Sequence, residues 1–138
     1  MSNKKILRIL FVEDLLERQQ KLCDMYKDHA WIVAETAMRA IKLISVYDFD
    51  LILLDYNLEE ETTGLEVAQF IVKSRNAHTK VVLHSMNPDG AKKMLGVITS
   101  AEVIPISKLT KKSMYTKRLN EQLNQEQVNW NYVFNGYC

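Results

Sequence analysis

Cysteine is almost missing from this sequence: the chain of 138 residues has two, Cys23 and Cys138. That is too few for a disulfide framework at this length, and no CxxC pair is present, so the reading is a reducing compartment. His29, His78 and His84 share no ligand spacing, which argues against zinc. Glycine and proline are also scarce, at four and two, and leave no linker, low-complexity tract or internal repeat to divide the chain. One domain is expected, and a chain of this size buries roughly 68% of its unfolded surface, enough for a core without a staple. An excess of one charge is missing too. With 18 Lys+Arg against 17 Asp+Glu, a net charge of +1 cannot supply the many phosphate contacts of a general nucleic-acid binder. The longest apolar runs, such as residues 9–12, fall far short of the ~20 residues of a membrane span, and Met1 to Lys5 lead into no secretory apolar region. A soluble, cytoplasmic protein with no membrane partner is expected.

What is present is a regular alternation of two periods. Residues 6–12 form a β-branched run that stops at Glu13-Asp14, as a strand buried on both faces would. Over 15–27 the apolar residues Leu15, Leu16, Leu22, Cys23 and Tyr26 recur at helical steps. A brief second strand is predicted at 31–34 and a second helix at 36–46, with Thr36 as N-cap and Ala37, Ala40, Ile41 and Ile44 on one face. Leu51-Ile52-Leu53-Leu54 ends at Asp55 and reads as a central parallel strand, followed by a helix over 65–75. A fourth strand is predicted at 80–83, and Asn87-Pro88 then starts a helix, with Asn as cap and Pro in its first turn. A fifth strand at 103–106 and a fifth helix over 111–126 complete the series. Five strands alternating with five helices imply a doubly wound α/β domain: a five-stranded parallel sheet of flavodoxin-like order 2-1-3-4-5, with helices on both faces.

In such sheets the ligand crevice lies at the carboxyl ends of the strands. Those ends hold Glu13 and Asp14, then Asp55, Ser85 and Lys108. Clustered carboxylates repel one another unless a cation is present, and an oxygen-only set with room for water suits Mg²⁺. With a cation in place Asp55 can attack a phosphoryl group, while Lys108 and the Ser85 hydroxyl neutralise and orient it.

Glu13-Asp14, Asp55 closing its apolar strand, Ser85 and then Lys108 resemble the receiver domain of two-component response regulators, over about residues 5–127. The resemblance implies that Asp55 is the phospho-acceptor, fed by a histidine kinase or a histidine phosphotransfer protein. It implies that Glu13, Asp14 and Asp55 hold Mg²⁺ together with the backbone carbonyl of Asn57, and that Ser85 and Lys108 sense the phosphoryl group. The expected output is contact with a downstream protein or a second copy of the chain, the receiver being read as stand-alone. The expected division is 1–127 for the receiver and 128–138 for an aromatic tail.

The sequence departs from that pattern at several places. Leu58-Glu59 stands where the family has Met-Pro, and Gly64 comes nine residues after Asp55 instead of eight. The loop in between carries Glu59, Glu60 and Glu61, which either repels an anionic donor or attracts a basic partner. Met86 follows Ser85 and narrows access to the acceptor, Pro105 replaces the switch aromatic, and Lys108 is followed by Leu109 instead of Pro. Without proline a cis bond costs several kcal/mol, so a trans bond is expected there. These departures motivate a rival reading, a degenerate receiver that binds partners without being phosphorylated.

Simpler readings compete residue by residue. Asp55 can be a turn or cap residue, Glu13 and Asp14 can simply start a helix, Ser85 can be a plain turn former, and Lys108 can join Lys111 and Lys112 on a solvated face. His84 reads as a packed strand-end side chain, and Cys23 as core. The basic stretch Lys108, Lys111, Lys112, Lys117 and Arg118 is either a solvated face or a dock for an acidic partner or nucleic acid. In the tail Val128, Trp130, Tyr132 and Phe134 alternate at near period two. That many aromatics do not suit a disordered segment. The tail covers either the domain's own surface or another chain.

Overall fold

A computed structural model of the chain describes residues 4–58, 62–111 and 113–136. The elements run β1 (Arg8–Val12), α1 (Leu16–Met25), β2 (Ala30–Ala34), α2 (Ala37–Val46), β3 (Leu51–Leu54), α3 (Gly64–Ile71), β4 (Lys80–Leu83), α4 (Pro88–Val97), β5 (Glu102–Val103), α5 (Ile106–Lys111), α6 (Ser113–Gln122) and α7 (Trp130–Asn135). The sheet has five strands in the order β2-β1-β3-β4-β5, and every pairing is parallel. This is the flavodoxin-like order that the alternation predicted.

The continuous apolar runs are explained by the two cores. Leu10, Val12, Ile52, Leu54, Val81 and Leu83 turn to one face, where Ala40, Ile44, Val67, Ala68, Ile71 and Met94 meet them. Their neighbours Ile9, Phe11, Leu51, Leu53 and Val82 turn to the other, against Leu22, Tyr26, Tyr115, Leu119 and Leu123. Period-two alternation with helices on both sides leaves no polar residue over 9–12, 51–54 and 81–83, the covered parts of the three central strands. Cys23 is half-buried and packs against the second cluster.

The helix starts follow local chemistry. The Thr36 hydroxyl accepts the Arg39 N–H and the Asn87 side chain accepts the Gly90 N–H, while Thr63 and Glu66 form a reciprocal capping box. The third helix is shorter than its predicted 65–75, because the chain turns at Ser74, whose Oγ donates to the Ile71 carbonyl at 2.8 Å and accepts the Asn76 N–H at 2.9 Å. No helix among the described residues is long and apolar enough to cross a membrane.

The C-terminal third departs most from expectation. β5 covers two residues, not 103–106; helix begins already at Ile106 as α5, and α6 ends at Gln122, short of the expected 126. The Ile104 and Ile106 N–H groups still donate to the Leu83 and His84 carbonyls at 3.0 and 3.1 Å, so Pro105 sits where a missing N–H faces the open edge, and its carbonyl accepts the N–H groups of Lys108 and Leu109, both at 2.9 Å, as the first turn of a helix. The aromatic tail is helical, not alternating. Asn129 caps α7 by accepting the Tyr132 N–H, and Trp130, Val133 and Phe134 share its inward face. The Phe134 ring lies 6.0 Å from that of Tyr115 and 5.8 Å from that of Trp130. The tail therefore covers the domain's own surface.

Candidate functional site

The three central strands end at one level. Leu54 lies beside Val12 and Leu83 in parallel register, so Glu13, Asp55 and His84, the residues that follow them, reach the same rim. The Asp55 N–H donates to the Val12 carbonyl at 3.0 Å and the His84 N–H to the Leu54 carbonyl at 3.1 Å, which extends the ladder by one step. Val12, Leu54 and Leu83 face the cluster under α2, α3 and α4. By alternation the next residue of each turns to the opposite face, where α1 lies.

There the side chains form a buried polar group. His84 Nε2 and Glu13 Oε1 are 3.0 Å apart, both side chains 0% exposed, and the carboxylate being an acceptor, the ring nitrogen donates. Glu13 Oε2 accepts the Leu15 N–H at 3.0 Å. Asp55 Oδ1 accepts the Tyr56 N–H at 2.8 Å, and Asp55 Oδ2 faces Arg18 Nη1 at 3.5 Å. The same guanidinium nitrogen stands 3.8 Å from Glu13 Oε1, so Arg18 spans both carboxylates. Donor atoms of Glu13, Asp55 and His84 all lie within 4.8 Å of one another.

The electrostatics match this arrangement. Burial pushes the Glu13 carboxyl up, but the hydrogen bond and field of His84, the Leu15 N–H and Arg18 together hold it below its ordinary value. Asp55 is raised, first by burial and then by the Glu13 charge, against the opposing pull of His84, the Tyr56 N–H and Arg18. Asp14, half-buried, is raised by burial, by its hydrogen bond with Glu13 and by the charges of Glu13 and Asp55. Two carboxyls raised by burial first and by neighbouring carboxylate charge after it stand beside a third, a setting in which a bound cation favours the ionised forms.

Of the residues singled out in the sequence, Glu13, Asp14 and Asp55 are brought together. Ser85 is buried, and its Oγ accepts the Asn87 N–H at 3.0 Å, the turn-forming role. Asn57 is exposed and forms an isolated bridge with Thr63. Lys108 is not at a strand end: it is exposed on α5, because Ile106 and Leu109 on the same helix take the buried face. No peptide bond among the described residues is cis. Glu59, Glu60, Glu61, Lys112 and Cys138 lie outside the described residues. Of two further members of the site, His84 was read from the sequence only as a packed strand-end side chain and Arg18 was not read at all. His84 occupies the same register position as Glu13 and Asp55, and Arg18 follows Asp14 by four residues, one helical turn; both signals were available.

Glycine fixes the backbone around Asp55. A Cβ on Gly64 would stand 2.0 Å from the Asp55 carbonyl oxygen, and one on Gly90 would stand 2.2 Å from the Tyr56 ring. The Gly64 N–H donates to the Tyr56 carbonyl at 2.8 Å, which closes the loop after Asp55 onto α3.

A parallel sheet of this order, with an acidic cluster at its carboxyl edge, defines a receiver domain. The model of the cyclic-phosphate processing receiver domain family matches residues 8–100, and the chain belongs to that family. No curated protein sequence matches it. Among solved structures it is similar to the signal receiver domain of an HD domain-containing protein from Pseudomonas fluorescens Pf-5, with 15% identity and a TM-score of 0.72 over 89% of this chain and 100% of that one. It is also similar to a CheY-like receiver domain protein from Methanospirillum hungatei JF-1, with 19% identity and a TM-score of 0.65 over 78% and 90% of the two chains. A third is the response regulator TrrA from Thermotoga maritima in complex with Mg²⁺-BeF, with 24% identity and a TM-score of 0.62 over 72% and 86%. At these identities the likeness concerns the fold.

Proposed function

We propose that the chain accepts a phosphoryl group on Asp55 from a histidine kinase or a histidine phosphotransfer protein, in a self-catalysed, Mg²⁺-dependent step, and signals by contact with a downstream protein. The observation that carries this reading is the Asp55 carboxylate itself. It is buried at the end of β3, with Oδ1 fixed by the Tyr56 N–H and Oδ2 turned toward the Arg18 cation. Asp55 Oδ2 attacks phosphorus, the bond from phosphorus to the donor's leaving atom breaks, and the leaving group departs with the electron pair. The fixed backbone holds the attacking oxygen in place throughout.

The donor set fits Mg²⁺: the carboxylates of Glu13, Asp14 and Asp55 and the carbonyl of Asn57 are oxygens, and the carboxyls of Asp14 and Asp55 are raised by burial and by the neighbouring carboxylate charge. The ion supplies neutralisation of charge on the phosphoryl oxygens. Ser85, whose Oγ accepts from Asn87, keeps its own O–H for a phosphoryl oxygen.

The test is incubation with Mg²⁺ and acetyl phosphate, read by intact-mass spectrometry. A phosphoryl adduct that is absent in Asp55→Asn supports the reading. No adduct, together with no response to beryllofluoride, leaves the phosphorylation-independent binding module as the function.

A second reading is favoured by the His84–Glu13 pair beside Asp55 and by the family's description as cyclic-phosphate processing. The same carboxylate attack on a cyclic phosphodiester breaks one ring P–O bond, and the freed alcohol oxygen takes a proton from water. Phosphorus NMR of nucleoside cyclic monophosphates incubated with the protein decides it, since ring opening moves the signal and binding alone leaves the ester intact.

A further inference from the structure

We propose that Arg18, not Lys108, is the cation that neutralises the phosphoryl group in this chain, and that the cleft above Arg18 is the entry for a phosphate-bearing donor. The proposal rests on the reading of Asp55 as acceptor. Three observations carry it. Arg18 Nη1 donates at 3.5 Å to Asp55 Oδ2, the carboxylate oxygen that the Tyr56 N–H does not hold, while Lys108 stands exposed on α5. The Arg18 side chain is 27% exposed, whereas those of Glu13 and Asp55 are 0% and 2%, so the guanidinium is where the buried group meets solvent. And Arg18 forms part of the wall of a cleft of about 430 Å³, together with Leu15, Leu16, Lys21, Met86 and Ile106.

The chemistry follows from charge and shape. A guanidinium presents paired N–H donors that match two oxygens of a phosphoryl group, and such charge-assisted pairs are roughly twice as strong as neutral ones. Before transfer a single nitrogen, Nη1, is shared between Glu13 and Asp55, at 3.8 and 3.5 Å. After transfer the phosphoryl oxygens carry the larger negative charge at the same position, and the side chain turns to them with no movement of α1. The cleft volume lies within the range of small-ligand sites. Its walls combine exposed Leu15, Leu16 and Met86 with two cations, Arg18 and Lys21, and one anion, Glu17, which pairs with Lys21 at 3.5 Å and leaves Arg18 as the uncancelled charge. That combination suits a phosphate ester or acyl phosphate carrying an apolar group.

The experiment compares beryllofluoride affinity in Mg²⁺, followed by tryptophan fluorescence, and adduct formation from acetyl phosphate, across the wild type, Arg18→Ala, Arg18→Lys and Lys108→Ala. Thermal melts check that each variant folds. Lys108→Ala is expected to stay within about twofold of wild type, and Arg18→Ala to lose at least about tenfold in affinity, with Arg18→Lys between them because a point charge replaces the fork. If Arg18→Ala binds beryllofluoride as tightly as wild type or tighter, Arg18 only competes with the metal and the proposal is overturned. A tenfold loss in Lys108→Ala overturns it equally, with Asp55 still the acceptor. A wild type that forms no adduct and binds no beryllofluoride overturns both.

Discussion

Glu13 and His84, 71 residues apart in sequence, meet at 3.0 Å with no solvent on either side chain. The pair ties the end of β1 to the end of β4 across Asp55. His84→Ala would leave a buried carboxylate without its ring partner, and we expect a loss of about 3 kcal/mol in urea denaturation at neutral pH. His84→Gln, which keeps a donor, recovers much of it. The loss carries a pH signature. The folded Glu13 carboxyl lies below its ordinary value of 4.5, so the stability it contributes is present above that value and disappears as pH falls through the folded one. In His84→Ala the acid limb of the stability profile should flatten.

Three glycines make opposite predictions. Gly64→Ala would drive a Cβ to 2.0 Å from the Asp55 carbonyl oxygen, a backbone atom that cannot step aside without moving Asp55 itself. A loss of about 3 kcal/mol is expected, with impaired phosphorylation. At Gly90 the obstacle is the Tyr56 ring, which can rotate outward, so Gly90→Ala should cost about 1–2 kcal/mol and should couple to Tyr56→Ala in a double-mutant cycle. Gly96 has nothing within 4 Å of the added carbon, and Gly96→Ala should stabilise by up to about 0.5 kcal/mol.

The strands and their order were legible because residues 9–12 and 51–54 are apolar without interruption, a pattern only a sheet covered on both faces requires. The acidic half of the site was legible for the same reason: each run ends on a carboxylate. His84 was harder to read, since a histidine closing a strand looks like packing until the register sets it beside Glu13. Lys108 misled because the strand before it was read two residues too long. Pro105 turns the chain into α5 early, and from there helical phase points Lys108 outward. In the tail, Val128, Trp130, Tyr132 and Phe134 suggested period two, but burial of Val133 beside Phe134 gives the helical period.

The docking of α7 has its own consequence. Phe134 is buried between the rings of Tyr115 and Trp130, and Val133 beside it is fully covered. Phe134→Ala should cost about 3 kcal/mol, lowering the melting temperature by about 10 °C. Removal of everything after residue 127 should cost at least as much, because it also bares Tyr115 and Leu119. A truncated chain that melts with the full one would show that α7 adds nothing to the core.

Asp14 and Asp55 behave oppositely to Glu13. Both carboxyls are raised, so they keep their protons to higher pH in the folded chain than in the unfolded one. Their contribution to stability is complete below the ordinary carboxylate value of about 3.9 and is lost as pH rises through the folded values. At neutral pH without metal, therefore, the folded state carries two ionised groups in surroundings that resist their charge. Asp14→Asn should leave the metal-free protein at least as stable as the wild type, by a margin that solvent screening of this half-exposed carboxyl keeps small. Added Mg²⁺ should reverse the ranking. At a concentration 100 times the dissociation constant the wild type gains about 2.7 kcal/mol, which Asp14→Asn forfeits in large part. Thermal melts at pH 7 with EDTA and with Mg²⁺ read both effects. If the variant is the less stable in EDTA, or gains as much as wild type from Mg²⁺, Asp14 is a helix-start residue and no metal ligand.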